Sequence, residues 1–581
     1  MNIATAIPAS EQRDSRAGHY DLIVLGSGAA GFAAAVTASG KGLKVLMVEK
    51  AAQFGGTSAI SGGAIWIHAS DQACAAAIED SREAMRHYLR SVIGRGYRAE
   101  QVETFIERGH EALRWLEANS ELRYSLRPLS PDYYPDAPGG TERGRALEVL
   151  EYDGGRLGEH FRNLKMPPAG MLLFGAMMVN RVDIQHFLSM RRSPASLWHC
   201  LKLMARYACD RLRYPRGARL TTGNALIARL ATTAFANGVT LWLQSEADAL
   251  IVENGSVLGA RIRHAGRLEE VRARGGVVCA MGGFAAAPLA AAYRPASAQP
   301  HLSMSPETNS GDALRLGEAV NAATGEGLAA NFFWAPVSEI RHANGERERF
   351  PHLVTDRAKP GVIAVNAAGQ RFVNEADSYH HFVQTMFATG NSVCWLICDA
   401  TAMSKYGLGL ARPSPVDNRA LIDAGYLHKA DSAERLAQDL GIDAHELRRT
   451  LERFNADAHA GVDRQFGKGG NSYNRYMGDP DHRPNPCLAP LTRAPFYAVR
   501  VHTGDLGSAR GLLTDTHANV LDTAGAAIPG LYAVGNDMNS IMDGTYPGPG
   551  ITLGPGLTFG HIAATHVAER LSSATPHRQE N

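Results

Sequence analysis

The stretch "YDLIVLGSGAAGFAAAVTASGKGLKVLMVEK", residues 20–50, decides the fold. In it an apolar strand, a glycine-rich turn, an alanine-rich helix and a second apolar strand follow one another, which is the order of a dinucleotide-binding βαβ unit. Gly26, Gly28 and Gly31 have the G-x-G-x-x-G spacing, which permits a tight turn, backbone approach to a pyrophosphate, and close packing of helix on strand. Glu49 ends the second strand, where an acid accepts hydrogen bonds from ribose hydroxyls and disfavours a 2′-phosphate. The stretch therefore predicts a Rossmann-like domain.

Bulk composition limits the class of protein. At 581 residues, with 45% hydrophobic and 20% charged residues, the chain predicts a globular protein of two or more domains. The net charge of +1 gives no reason to expect nucleic acid or an anionic membrane as partner. Seven scattered cysteines favour reduced thiols and a cytoplasmic location. We expect no integral membrane segment, no signal peptide, and a disordered or loosely attached tail at residues 1–19.

The segment after the βαβ unit distinguishes FAD from NAD. "QFGGTSAISGGAIWI", residues 53–67, is dense in small residues, which suits backbone lying against a flat ring system and a second phosphate contact. Extended back to Glu49, the segment resembles the second FAD-contact segment of the superfamily of fumarate reductase and 3-ketosteroid dehydrogenase flavoproteins. We therefore expect FAD as the cofactor.

Later segments predict that the FAD domain is split in sequence. "GGVVCAMGGF", residues 275–284, resembles the superfamily segment that closes the first part of this domain, and the texture of residues 286–490 is irregular and rich in Pro. The chain returns at "FYAVRVHTGDLGSARGLLTD" and ends in a helix whose N-terminus can face a flavin carbonyl. We therefore predict an α/β protein with a Rossmann-like FAD-binding domain in two parts, 20–285 and 491–581, and an inserted α+β substrate/catalytic domain at 286–490.

The resemblance and the glycine pattern together assign a set of residues to FAD. The candidates are Gly26, Gly28, Ala29, Ala30, Gly31, Glu49, Lys50, Gly56, Thr57, Ser58, Ser61, Gly62, Gly63, Gly282, Gly535, Asn536, Gly550 and Leu553.

Motifs for other catalytic apparatus are missing from the sequence. It holds no H-E-x-x-H and no paired C-x-x-C, so we expect no metal site and assign the redox chemistry to the flavin. The fumarate reductases carry a catalytic Arg five residues past the Asn of their "RFVNE" segment. Here that position, counted from Asn374, is Tyr379, and Tyr546 stands near their second substrate-binding Arg. Loss of both cations argues against a dicarboxylate substrate.

The FAD-dependent 3-ketosteroid Δ1-dehydrogenases match instead, from about residue 20 to about residue 570. "DYYPDAPGG" is similar to their first active-site segment, "FVNEADSY" to their second and "YPGPG" to their third. This resemblance implies Tyr133, Tyr379 and Tyr546 as the active-site tyrosines, with Gly550 as the oxyanion-binding glycine. It implies that Tyr379 abstracts the α-proton while hydride passes to N5 of FAD, and that Tyr546 and Gly550 stabilise the enolate. Tyr133 is expected to donate a hydrogen bond that favours the phenolate of Tyr379.

Several alternatives stay open at this point. The hydrophobic cyclic ketone is a steroid or a smaller ring, such as an oxocyclohexane, and the electron acceptor is unknown. Asp543 departs from the family pattern and could repel or orient a polar group of the substrate. Tyr134 competes with Tyr133 for the first position, and an "HT" step at residues 502–503 keeps a reductase of unsaturated acids as a rival. A flavoprotein that only carries electrons is the rival from another class.

Overall fold

A computed structural model describes residues 20–190, 193–354 and 356–573. The tail predicted at residues 1–19 lies outside the described residues.

A six-stranded sheet forms the core of one part of the molecule. Its strands, in spatial order, are Asn519–Leu521, Ala527–Ala533, Val277–Cys279, Leu22–Leu25, Val45–Val48 and Thr240–Trp242. All neighbours pair in parallel except the first two. Leu22–Leu25 and Val45–Val48 are buried throughout, as expected for strands covered by helices on both faces. The sheet contains strands from both predicted parts of the FAD domain.

Two helices pack together beside the glycine-rich turn that follows strand Leu22–Leu25. Helix Ala29–Gly40 follows the glycine-rich turn, and the C-terminal helix Leu553–Ser573 packs along it. A β-carbon on Gly560 would lie 2.5 Å from the Ala30 carbonyl oxygen, so the two backbones touch where only glycine fits.

A seven-stranded sheet forms the core of the other part of the molecule. Five strands run in the order Arg347–Pro351, Phe332–Arg341, Phe496–Ser508, Val393–Cys398 and Val362–Val365, and His301–Ser303 and Leu427–Ala430 also pair with Phe496–Ser508. Phe496–Ser508 is therefore the central strand of a sheet whose other strands all lie within residues 286–490. The domain boundaries stay a prediction, and sheet membership favours a return to the FAD domain nearer residue 509.

Smaller sheets and the remaining helices complete the described residues. One antiparallel sheet contains Glu246–Glu253, Ser256–His264 and Arg267–Arg272, a second contains Ile65–Trp66, Ala146–Val149 and Tyr124–Leu126, and Tyr152–Asp153 pairs with Arg219–Leu220. The other α-helices are Gly56–Ala59, Asp71–Ala75, Arg82–Ile93, Ala99–Asn119, Arg181–Ser189, Pro194–Arg211, Thr222–Ala236, Asp312–Glu318, Tyr379–Ala388, Ala400–Tyr406, Arg419–Asp423, Ala433–Leu440, Ala444–Ala460 and Ser472–Met477. Within the described ranges, no helix is long and apolar enough to cross a bilayer.

Candidate active site

Three tyrosines from distant segments meet in one buried cluster. Tyr133 lies in the loop after strand Tyr124–Leu126, Tyr379 is the first residue of helix Tyr379–Ala388, and Tyr546 lies in the glycine-rich loop before the last helix. Their ring centroids are 5.6 Å (Tyr133–Tyr379), 5.5 Å (Tyr133–Tyr546) and 5.0 Å (Tyr379–Tyr546) apart. None of the three is more than 7% exposed. The structure therefore brings together the three residues that the sequence motifs selected.

The hydroxyl groups of Tyr133 and Tyr379 form a hydrogen bond of 3.3 Å. Burial raises the pKa of both residues well above the ordinary value, and the proximity of Tyr133 and Tyr546 raises the pKa of Tyr379 further. While both hydroxyls are protonated either can donate, and this shared bond favours neutral Tyr379. Once Tyr379 loses its proton only Tyr133 can donate, so the same bond then stabilises the phenolate. In this structure Tyr379 is therefore protonated at pH 7, and alkaline pH favours the phenolate that can act as a base.

The choice between the two adjacent tyrosines follows from their contacts. The Tyr133 ring contacts both Tyr379 and Tyr546, whereas the Tyr134 hydroxyl bonds to the Ser378 side chain. The arrangement favours Tyr133 as the active-site residue.

The loop that carries Tyr546 is fixed by its backbone. The Pro547 carbonyl accepts hydrogen bonds from the Tyr133 backbone N–H, at 2.9 Å, and from the Tyr88 hydroxyl, at 2.5 Å. Gly550 has φ +101°, and a β-carbon there would lie 2.6 Å from Ile65 Cα. Both the dihedral angle and the contact make any other residue strained at this position. The glycines of this loop let it press against neighbouring backbone and so hold Tyr546 beside Tyr133.

Asp543, the departure from the family pattern, contacts other loops, and among the described residues it forms no hydrogen bond with the three tyrosines. Its Oδ2 accepts the Ala329 backbone N–H at 3.1 Å, and its carboxylate lies against Gly96, where a β-carbon would overlap it. Burial raises its pKa, and nearby Arg98 opposes that shift. The carboxylate thus contacts two other loops of the scaffold, which favours a structural role over the substrate contact considered from sequence.

Three further side chains touch the cluster that no motif had indicated. The Phe333 ring lies edge-on to Tyr546 at 5.6 Å, and the Tyr473 ring lies 4.9 Å from Tyr133. His380 follows Tyr379 directly; its Nδ1 accepts the Trp334 backbone N–H, and burial lowers its pKa to about 3. The ring is therefore neutral at pH 7, with its proton on Nε2. Only His380 had a sequence signal, its position beside Tyr379.

The glycine-rich turn forms a cradle that fits a pyrophosphate. Gly26 has φ +101°, and a β-carbon there would lie 2.8 Å from Met281 Cα. Gly28 precedes helix Ala29–Gly40, and the Ala29 N–H at the helix N-terminus donates to Ser58 Oγ at 3.0 Å. A β-carbon on Gly31 would overlap the Gly26 carbonyl oxygen. These contacts leave no side-chain bulk beside a helix N-terminus, whose positive dipole end favours phosphate oxygens.

The two residues at the end of the second strand differ in their surroundings. Glu49 accepts hydrogen bonds from the Ser27 backbone and hydroxyl and from the Ala51 N–H, the last at 2.8 Å, which fixes its carboxylate beside the cradle. Lys50 instead forms ion pairs with Glu246 at 2.8 Å and Asp312 at 3.1 Å. Glu49 fits its predicted part in binding ribose, while the Lys50 side chain is engaged with the protein.

The second predicted FAD segment lies opposite the cradle. A β-carbon on Gly56 would come 3.9 Å from Gly28 Cα, so the two segments face each other. Within the segment Ser61 Oγ accepts the Gly63 N–H at 3.1 Å and donates to the Ser58 carbonyl at 2.8 Å. Thr57 Oγ1 accepts from Asn309, which also donates to the Gly282 carbonyl at 3.0 Å. Around Gly62 the structure is open.

A small cleft lies between this FAD cradle and the tyrosines. Its lining includes Phe333, Ser508, Gly535, Asn536, Thr552 and Gly556. A β-carbon on Gly535 would lie 3.1 Å from Ala30 Cβ, so the cleft begins beside the first turn of the cradle. At its other end the Thr552 side chain hydrogen-bonds Tyr546, just before Leu553 begins the last helix. Of the predicted FAD residues, Gly535 and Asn536 therefore lie between the cradle and Tyr546.

Asp537, between two residues that line the cleft, is a further residue that sequence reasoning missed. Its carboxylate accepts the backbone N–H groups of Met281 and Gly283, the latter at 2.8 Å, and so ties the return segment to the end of strand Val277–Cys279. Burial raises its pKa to about 6. The signal was present in the sequence, because an acid directly follows the "GN" step.

Comparison with known proteins agrees with this geometry. Residues 21–553 match the family described as "FAD binding domain". The chain is 37% identical, over 95% of its length and 94% of the relative, to a 4-oxocyclohex-2-ene-1-carboxylate 5-dehydrogenase of Sinomonas cyclohexanicum. It is 35% identical, over 94% of its length and 97% of the relative, to a 3-oxosteroid 1-dehydrogenase of Mycolicibacterium smegmatis.

A solved structure gives the same result. The 3-ketosteroid Δ1-dehydrogenase of Sterolibacterium denitrificans, in complex with 1,4-androstadiene-3,17-dione, superposes with a TM-score of 0.88 at 36% identity, covering 95% of this chain and 100% of the other. The fold and cleft define an FAD-dependent oxidoreductase. Within that class the chain belongs to the 3-ketosteroid Δ1-dehydrogenase family, as its sequence motifs predicted.

Proposed function

We propose that this enzyme desaturates a hydrophobic cyclic ketone at the carbons α and β to the carbonyl, and that the reaction is 3-ketosteroid 1,2-dehydrogenation. One observation carries the proposal: three buried tyrosines converge from residues 133, 379 and 546 at the end of the FAD cleft. Hydroxyl groups so placed suit a substrate that develops negative charge on a carbonyl oxygen and loses a proton from the adjacent carbon.

In this proposal the carbonyl oxygen binds between the Tyr546 hydroxyl and the Gly550 N–H. These two donors stabilise the enolate more than the ketone, because hydrogen bonds strengthen as charge develops on the oxygen. The fixed backbone of the loop supports this role, since the Pro547 carbonyl is held by Tyr133 and Tyr88. The donors need no reorganisation when the reaction begins.

Tyr133 donates a hydrogen bond to the Tyr379 phenolate, which accepts the α-proton and becomes a neutral phenol. Bound FAD supplies the acceptor for the hydride that leaves the β-carbon. The residues that would hold FAD are the cradle glycines, Glu49 and the lining of the cleft. Proton and hydride loss leave one new carbon–carbon double bond, conjugated with the carbonyl.

A smaller ring is the second candidate substrate. It rests on the 37% identity to the 4-oxocyclohex-2-ene-1-carboxylate 5-dehydrogenase and on 34% identity to a 4-oxocyclohexanecarboxylate 2-dehydrogenase of the same organism. A reductase of unsaturated acids is less well supported, because positions 379 and 546 hold Tyr rather than Arg. The electron acceptor is unassigned. We also propose a cytoplasmic location, which the free state of all seven cysteines supports.

Anaerobic bleaching of the flavin tests these assignments. Purified holoprotein is mixed with androst-4-ene-3,17-dione, with 4-oxocyclohexanecarboxylate, or with buffer, and the flavin absorbance is followed. Photoreduced protein is mixed with fumarate in parallel. Bleaching by the steroid supports the first proposal and bleaching by the small acid alone supports the second. Reoxidation by fumarate without bleaching by either ketone would overturn both.

A further inference from the structure

A two-helix hairpin on the surface exposes an apolar stripe. The hairpin comprises helices Arg181–Ser189 and Pro194–Arg211, which pack against each other. Among the described residues, half of the large apolar side chains that are exposed lie within residues 171–212. They include Trp198 at 68%, Leu212 at 87% and Phe174 at 64% exposed. Apolar exposure concentrated in one short segment indicates an interaction surface.

The stripe has helical periodicity and points outward. Its exposed members recur every three or four residues, and they are Pro194, Trp198, Leu201, Ala205, Ala208 and Leu212. The opposite face is turned to the protein: Ser196 and Cys200 are buried, and the Tyr207 hydroxyl donates to the Phe174 carbonyl. At roughly 100° of rotation per residue the stripe forms one continuous face of the second helix. An ordinary surface helix buries its apolar face, and this helix presents it.

Positive charge flanks the stripe. Lys202, Arg206 and Arg213 are exposed along one side of it, and Arg211 lies on the other. Residues 181–213 hold seven Lys and Arg but only two acids, Asp183 and Asp210, so this segment has an excess of five positive charges although the whole chain has one. Both acids are turned inward: Asp183 binds Arg219 and His199, and Asp210 accepts the Ala218 N–H. The surface therefore presents apolar groups with a cationic rim.

We propose that this hairpin docks the enzyme on an anionic lipid bilayer, with the apolar stripe seated at the level of the headgroups. An exposed Trp and Leu stripe bordered by Lys and Arg is the pattern of a helix that lies in a membrane interface. The cationic rim argues against a second copy of this chain, because a symmetric dimer would bring two positively charged rims together. No described helix is long and apolar enough to span the bilayer, so the contact is peripheral.

Vesicle sedimentation tests the proposal with the holoprotein. It should co-sediment with vesicles of phosphatidylcholine and phosphatidylglycerol, bind pure phosphatidylcholine less, and be released by about 0.5 M NaCl. The fluorescence of Trp198 should shift to shorter wavelength on binding, and Trp198→Phe should remove that shift. Replacement of Lys202, Arg206 and Arg213 by Glu should weaken binding on the order of 100-fold, since each cation near an anionic surface contributes roughly five-fold.

Matched variants separate the hairpin from a general effect of surface charge or exposed apolar area. Trp198→Ser with Leu201→Ser should abolish sedimentation, whereas Val252→Ser with Leu268→Ser, at sites 44% and 46% exposed on another surface, should not. Replacement of the exposed Arg448, Arg449 and Arg453 by Glu makes the same change of charge on another surface, and this control should sediment like the wild type. Flavin content and bleaching by soluble ketone should stay unchanged in all of them.

Three results would overturn the proposal. One is a wild-type protein that stays in the supernatant with every vesicle. Another is a hairpin variant that sediments like the wild type. The third is a concentration-dependent dimer in gel filtration that Trp198→Ser dissociates, which would assign the stripe to a second copy.

Discussion

Alkaline pH should accelerate the reaction through Tyr379. Burial and the two neighbouring tyrosines raise the pKa of Tyr379 above its ordinary value of about 10. At pH 7 no more than about one molecule in a thousand then has the phenolate before substrate binds. Because the base must be deprotonated to accept the α-proton, the active fraction grows about tenfold for each pH unit up to the pKa. We expect kcat/KM to rise with that slope between pH 7 and pH 9.

Stopped-flow bleaching of the flavin under anaerobic conditions measures this dependence, and two variants assign it. Tyr379→Phe keeps the ring contacts of 5.6 Å and 5.0 Å with Tyr133 and Tyr546 but loses the hydroxyl. It should lower the rate by about 10²- to 10⁴-fold and remove the slope, while flavin stays bound. Tyr473→Phe, whose ring touches Tyr133 at 4.9 Å, is the control and should retain the slope.

Two outcomes would refute this reasoning. A flat profile between pH 7 and pH 9 in the wild type would mean that no group with a raised pKa is the base. A Tyr379→Phe variant within tenfold of the wild-type rate, with its slope intact, would assign the titration to another residue.

Three other changes test the loop that holds Tyr546. Tyr546→Phe removes one of two proposed oxyanion donors and should lower kcat by about 10²- to 10³-fold, with flavin content as control; an unchanged kcat would place the carbonyl elsewhere. Gly550→Ala must adopt φ +101° with its β-carbon 2.6 Å from Ile65 Cα, so the melting temperature should fall by about 5 °C, and a wild-type melting curve would contradict the geometry. Asp543 has φ +53°, which Asn tolerates and β-branched Val does not. Asp543→Val should therefore destabilise the protein by about 2 kcal/mol in chemical denaturation and Asp543→Asn by less than about 1 kcal/mol; equal losses would assign the effect to charge rather than backbone.

The sequence predicted the parts of this molecule that depend on local chemistry. The βαβ unit at residues 20–50 was predictable, because strand, turn glycines and acid occur within one short window. The three candidate active-site tyrosines, which the structure brings together, could be selected because each stands inside its own motif. Their meeting could be inferred only through family resemblance, since nothing in spacing relates residue 133 to residue 546.

What the sequence did not show depends on partners far away in the chain. In sequence, strand Phe496–Ser508 looks like the start of the FAD return segment. In the structure it pairs with the strands at residues 332–341 and 393–398 and so belongs to the seven-stranded sheet. The stripe on helix Pro194–Arg211 has the same period as a helix that buries its apolar face, so periodicity alone cannot tell which way it points. For Asp543 the sequence could not show which group its carboxylate contacts. Only the folded loops show that it accepts the Ala329 N–H.

The Pro547 carbonyl accepts hydrogen bonds from the Tyr133 N–H and the Tyr88 hydroxyl, and this long-range contact has a consequence for biosynthesis. The first tyrosine leaves the ribosome more than 400 residues before the third, so the reaction centre stays incomplete until nearly the whole chain has been made. A polypeptide truncated before residue 546 lacks the Pro547 carbonyl with its two hydrogen bonds, and it lacks the last helix, which covers the cradle. We therefore expect a chain that ends before residue 546 to lack both ketone binding and a covered FAD cradle, and so to have no partial activity.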